Sequence, residues 1–135
     1  MHKGFLIIAS ILGALSVALG AFGAHALKQF VPPEAVGTFE TGVRYQFYHT
    51  FALITVAILF NSFPGKWLTG AGWLFIIGIL LFSGSLYALT ALKATNTVGM
   101  KGVGIITPFG GLLFIAGWLC LMIGIVVGNT SSKHI

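Results

Sequence analysis

Four stretches of this chain run for about 20 residues each with almost no charge, and that pattern decides which solvent the chain folds in. They extend from Phe5 to about Leu27, from about Val43 to Phe60, from Trp67 to Leu92 and from Ile105 to Val127. Each residue of a helix adds about 1.5 Å, so each stretch can cross a hydrocarbon slab about 30 Å thick. The 135 residues include only seven Lys/Arg and two Asp/Glu, whereas soluble domains carry about a quarter charged residues. Too few groups remain to cover an exterior facing water. The spacing predicts an all-α membrane protein: a four-helix transmembrane bundle, one integral membrane domain over residues 1–135, with both termini on the same side.

That solvent removes whole classes of function. A cytosolic enzyme and a disordered tail are excluded, and so is a disulfide scaffold, since Cys120 is the only cysteine. The net charge of +5 comes from scattered residues without a cluster. It reads as membrane-surface charge, with lipids as the expected partners and nucleic acid not among them. Lys3 before an apolar run, followed by Ala24-His25-Ala26, also resembles a signal peptide, but the run is longer than a typical signal core.

The connections differ in character. Asn61-Ser62-Phe63-Pro64-Gly65-Lys66 reads as a tight turn. In the longer first connection, Pro32-Pro33-Glu34 suits a helix start. Val36, Phe39, Val43 and Phe47 recur on one side there, and Glu40, Arg44 and Tyr48 on another. This pattern predicts an amphipathic segment lying at the interface before the chain turns into the second helix, with Glu40 and Arg44 paired one turn apart. The third connection, Ala94 to Ile106, holds Gly99, Gly102 and Gly104 and reads as a mobile loop, with Thr107-Pro108 opening the last helix. A faint repeat relates Ile11, Gly13, Leu15 and Ala26-Leu27-Lys28 to Ile76, Gly78, Leu80 and Ala91-Leu92-Lys93. The second and fourth helices have no such match.

Helices in lipid associate through close backbone approach and polar contacts. Gly110, Gly117 and Gly124 are spaced by sevens, as are Gly13 and Gly20. They read as packing stripes, and Gly124 with Gly128 as an additional surface for a second copy, which would make a homo-oligomer.

Antiparallel threading gathers the polar residues at one side: His25, then Glu40, Arg44, Tyr45, Gln46, Tyr48 and His49, then Ser83, Ser85 and Tyr87, then Thr107. Ionisable groups at membrane depth persist when paired, hydrated or useful. Each also has an ordinary reading: Arg44 pairs with Glu40, His25 snorkels, Tyr48 and Tyr87 belong to an aromatic belt.

At these same residues the chain resembles a known family. Gly20-Ala21-Phe22-Gly23-Ala24-His25, Tyr45-Gln46-Phe47-Tyr48-His49-Thr50, Leu81-Phe82-Ser83-Gly84-Ser85-Leu86-Tyr87, and Ile106-Thr107-Pro108-Phe109-Gly110-Gly111 with Gly117-Trp118 are similar, in order, to motifs of the small bacterial inner-membrane proteins typified by YgdD and YwdK. The resemblance implies four membrane helices in a bacterial plasma membrane and relatives in mitochondria. It supplies no activity, the family carrying a domain-of-unknown-function label. The family's basic tail is reduced here to Lys133 and His134. Lys3, Lys66 and Lys133 face Lys28, Lys93, Lys101 and Arg44 across the membrane, a balance that sets no orientation. The family pattern alone points to cytoplasmic termini.

Three functional readings follow. In the first, His25, Arg44, Tyr45, Tyr48, His49, Ser83 and Tyr87 line a polar pocket in one leaflet that binds a lipid headgroup or a quinone-like ring. In the second, the chain is a small dimeric proton-coupled transporter; with Glu34 and Glu40 both in the first connection, only histidine is left to carry the proton. In the third, it is a structural or assembly partner of other membrane proteins. Haem or zinc ligation by His25 and His49 with Glu40 lacks a ligand set dense enough to expect a cofactor or metal. No Asp exists to orient a histidine, so hydrolysis is not expected, and the sequon at Asn129 lies too near the last helix to be modified.

Overall fold

The computed structural model describes residues 1–96 and 100–131. Gly99, Lys133, His134 and the side chains of residues 129–131 lie outside that description. Four α-helices follow one another: α1 Lys3–His25, α2 Pro33–Leu59, α3 Lys66–Ala94 and α4 Met100–Ser131, with a short 3-10 turn at Leu27–Gln29. Among the described residues there is no strand. The helices α1, α3 and α4 are each long and apolar enough to cross a membrane. α2 is as long, but its first half carries Glu34, Glu40 and Arg44.

Two expectations are corrected here. The amphipathic stretch is not a separate interfacial element that turns into a helix at Val43: α2 runs unbroken from Pro33 to Leu59. Its Ala35, Val36, Phe39, Gly42 and Val43 are buried between neighbours, and the helix continues through Gly42 without a break. The apolar side of that stretch found other helices in place of lipid headgroups. The last helix does not open at Thr107-Pro108 either. α4 begins at Met100, so Gly102 and Gly104 are helical and Pro108 is interior. Proline lacks a donor and crowds the carbonyl four residues back. That residue is Gly104, which adds no side chain to the crowding, and a membrane helix tolerates such a proline where neighbours support the backbone.

The threading is up and down. His2 donates its backbone N–H to Ala57 O at 2.8 Å, joining the start of α1 to the end of α2, and its ring caps α1 by accepting from Phe5 N at 3.2 Å. Two core clusters result. One, around Phe5, Leu53, Leu68, Phe75 and Phe114, joins all four helices. The other packs Leu27, Val31, Val36 and Phe39 at the opposite end. In the turn between α2 and α3, Gly65 adopts φ +150°, a conformation that L side chains rarely take.

Close approach is concentrated between α3 and α4. A Cβ on Gly110 would sit 2.4 Å from Phe82 N, one on Gly117 would meet the Phe75 ring at 2.7 Å, and one on Gly124 the tip of Leu68. Gly128 lies against Phe63, so Gly124 and Gly128 face the chain's own third helix and the turn before it, not a second copy. Gly13 and Gly20 lie in ordinary contact with Thr50 and Val43 across α1 and α2.

Candidate functional site

The residues the sequence singles out separate into two places and leave four outside both. The first place is internal. Gln46 is 3% exposed and reaches across to α1, donating from Nε2 to Leu12 O at 3.1 Å; its Oε1 accepts from the Tyr87 hydroxyl of α3 at 2.9 Å. Ser83 is fully buried and donates to Gly42 O on α2. Ser85 and Thr107 exchange a hydrogen bond of 2.6 Å between α3 and α4. Thr90 leans on Leu86 O and reaches Ala35 O. Each donor ties two helices together where lipid offers no competing partner. Ser83 and Tyr87 therefore belong to a hydrogen-bonded spine inside the bundle; the Tyr87 ring also edges a separate opening beside Phe22, Leu27 and Phe39. Tyr87 fits because Gly42 leaves room for its ring: a Cβ there would be 2.8 Å from Tyr87 Cε1. Sequence reasoning named Gln46 without assigning it a role. Its signal was a lone amide carried into an apolar helix.

The second place is lateral. His49 is 5% exposed and lies flat on Phe114, with ring centroids 3.4 Å apart and planes inclined by 6°. Its Nδ1 faces Tyr45 O at 2.8 Å, and its Nε2 faces the Trp118 indole N–H at 3.3 Å. An indole N–H only donates, so Nε2 accepts and Nδ1 carries the proton. Both nitrogens are satisfied by a neutral ring. Tyr45 stacks near Phe82, with centroids 4.6 Å apart, and meets Tyr48 edge-on. Together Tyr45, His49, Phe82, Pro108, Phe114 and Trp118 line a groove of about 530 Å³ between α2 and α4. The Tyr45 hydroxyl makes no hydrogen bond to any described residue. Trp118 was quoted in the sequence only as part of a motif. What could have marked it is its indole donor, which needs an acceptor at that depth.

The remaining residues stay apart. His25 is exposed at the end of α1 and faces only Ala21 O of its own helix, at 3.1 Å. It shares no partner with His49, so the two imidazoles do not converge. Arg44, Glu40 and Tyr48 lie on the outward face of α2. Among the described residues no ion pair joins Glu40 to Arg44, and no group of three His, Cys, Asp or Glu side chains gathers that could hold a metal ion.

The depth of the groove follows from the register of α3. Lysines stand at both ends of that helix, Lys66 and Lys93. Phe75, against which His49 packs, lies ~13 Å along the helix from Lys66, and Phe82 lies ~16 Å from Lys93. The groove therefore lies about midway between the two lysines of α3.

Comparison with known proteins gives consistent relatives. Residues 19–111 match the family described as "Protein of unknown function (DUF423)". The UPF0382 membrane protein YwdK of Bacillus subtilis is 41% identical over 125 residues, covering 92% of this chain and 97% of that protein. A UPF0382 membrane protein of Haemophilus influenzae is 42% identical over 127 residues, 92% of this chain and 94% of its own length. The UPF0382 inner membrane protein YgdD of Escherichia coli is 36% identical over 121 residues, 90% and 88%. No solved structure matches the chain.

Proposed function

The chain belongs to the DUF423 family, and from that premise we propose that it is a four-span protein of the bacterial plasma membrane that holds a flat, quinone-like amphiphile in the groove between α2 and α4. The crossing of α2 is supported by its neighbours. From Ala57, bonded to His2, to Phe39, packed on Gly23, α2 runs antiparallel along α1. A helix bound along that length crosses whatever α1 crosses. Up-and-down threading then puts both termini on one face, the cytoplasmic one on the family pattern. A phosphatase reporter fused at either terminus is expected to be inactive and a cytoplasmic fluorescent reporter active. The opposite pair of results overturns the orientation.

One observation carries the ligand reading. The groove has the volume of a small-molecule site, its walls are aromatic planes, and its outer edge holds a phenol with no hydrogen bond to any described residue. At mid-depth a phospholipid headgroup would be desolvated, whereas a ring with one or two carbonyl oxygens is already at home there. Tyr45 would donate to such an oxygen while Phe82 and the exposed Trp118 flank the ring. Arg44 does not line the groove, so an anionic headgroup finds no cation in it.

The test uses Trp118 as its own reporter. In a Trp67→Phe, Trp73→Phe background, titration of the protein in nanodiscs with a short-chain ubiquinone analogue should quench the remaining tryptophan saturably. Tyr45→Phe should weaken the apparent affinity about three- to tenfold, the scale of one hydrogen bond. A protein that keeps only Trp73, which is half exposed on α3, should show linear collisional quenching. Linear quenching at Trp118 as well, or an affinity indifferent to Tyr45→Phe, defeats the reading.

A further inference from the structure

We infer that the outward face of α2 is the contact between two copies of this chain, joined by reciprocal Arg44–Glu40 pairs. The inference rests on α2 crossing beside α1 and is independent of what the groove holds. Its ground is the contrast among the outer faces. α1 presents Ile7, Ile11, Leu15 and Phe22 outwards, and α4 presents Phe109, Leu112, Leu119 and Met122. These are side chains that lipid suits. α2 presents Phe51 and Ile58 in its second half, but in its first half Glu40, Arg44 and Tyr48.

Their depth makes the contrast consequential. Val43 lies against Gly20, and Gly20 sits ~8 Å along α1 from its last residue, His25. Ser83 bonds Gly42 O, and Ser83 sits ~15 Å along α3 from Lys93. Arg44 is therefore well inside the apolar span, exposed, and without an ion pair to any described residue. A charge held at that depth without a partner is unfavourable by several kcal/mol.

A second copy supplies what the face lacks, because the face is complementary to itself. Under a two-fold axis along the membrane normal, each Arg44 stands one turn below the partner's Glu40. Side chains on a helix lean towards its N-terminus, and because the arginine side chain is longer than that of glutamate, Arg44 extends further that way and closes the offset to that carboxylate. An isologous contact makes the pair twice. Gly37 and Thr41, on the same side of the helix, are small, and a Cβ on Gly37 would meet nothing within 4 Å. The two α2 backbones can therefore approach closely.

The experiment is charge reversal read by energy transfer. Full-length protein with Cys120→Ser and Ser62→Cys, labelled with donor or acceptor in the exposed turn, is mixed in liposomes at low protein-to-lipid ratio. The unaltered face is expected to give transfer well above random proximity. Arg44→Glu copies among themselves, and Glu40→Arg copies among themselves, should lose at least tenfold in association. Donor-labelled Arg44→Glu mixed with acceptor-labelled Glu40→Arg should recover it, because one Arg44–Glu40 pair is kept and the other is restored with its polarity reversed. That recovery also demonstrates that the two variants are folded. Gly37→Leu, which meets nothing inside one copy, should lose association with helicity intact. Transfer no greater than random for the unaltered protein, association unaffected by either reversal, failure of the mixture to recover, or normal association of Gly37→Leu each overturns the inference.

Discussion

Gly110→Val is expected to destroy the α3–α4 seam and leave little natively packed protein. The first added atom alone would lie 2.4 Å from Phe82 N and 2.8 Å from Phe82 Cα. These are backbone atoms of a helix, which cannot rotate aside as a side chain would, so relief requires the two helices to separate. Separation would break the Ser85–Thr107 bond one turn away and lift Phe114 off Gly78. Overpacking ordinarily destabilises by about 1–3 kcal/mol, and a clash on backbone belongs above that range. We expect a loss greater than ~3 kcal/mol, read as the SDS fraction at which helicity and tryptophan emission change in mixed micelles. The neighbours set the scale. Gly111→Ala, 3.9 Å from the nearest atom, and Gly84→Ala, with nothing within 4 Å, should be unchanged. Gly124→Ala meets the end of a leucine side chain, which can swing away. It should be mild. If Gly110→Val unfolds at the same SDS fraction as Gly111→Ala, the seam is not where the geometry puts it.

That seam also marks how far the sequence can be read. Glycines spaced by sevens recur on one face of a helix because seven residues make nearly two turns, so Gly110, Gly117 and Gly124 announce a face in advance. They do not announce the neighbour. In the sequence Gly124 and Gly128 are as compatible with a second copy as with Phe63 and Leu68, since both choices place small residues against bulk. The limits of α2 were hidden for a related reason. Its first half looks interfacial by amphipathicity, but an apolar stripe of Val36, Phe39 and Val43 fits headgroups or helices equally well. Only tertiary packing decides. Among the polar residues, sequence reasoning grouped by depth what the fold sorts by direction. Tyr45 and His49 point to α4, Gln46 to α1 and α3, and Arg44 outwards. A rotation of about 100° per residue along α2 separates these neighbours, and depth alone cannot show it.

Gln46→Glu is expected to destabilise more than Gln46→Leu, an ordering that tests whether the internal spine is held by the amide's two roles. The amide donates to Leu12 O and accepts from Tyr87 OH. A carboxylate keeps the acceptor, sets a second oxygen against Leu12 O, and carries a charge into a site 3% exposed. Breaking polar balance of this kind in the interior destabilises by several kcal/mol, or is relieved by taking up a proton. Leucine at 46 takes from the Tyr87 hydroxyl the acceptor it donates to, while Leu12 O still accepts from Ser16 at 2.8 Å. Hydrogen bonds between membrane helices average about 0.6 kcal/mol and reach about 1.7, so Gln46→Leu should lose about 1–2 kcal/mol by the same SDS measurement. Tyr87→Phe should lose less, because Gln46 keeps its bond to α1. The double variant removes both ends of the pair and leaves no orphan, so its loss should fall short of the sum of the two. Thr50→Val is the control at the same depth: the residue is 2% exposed and its hydroxyl has no partner among the described residues. Exchanging it for a methyl group should be neutral or stabilising. Additive losses for positions 46 and 87, or a Thr50→Val loss as large as that of Gln46→Leu, would show that buried hydroxyls and amides here act as filling and not as ties between helices.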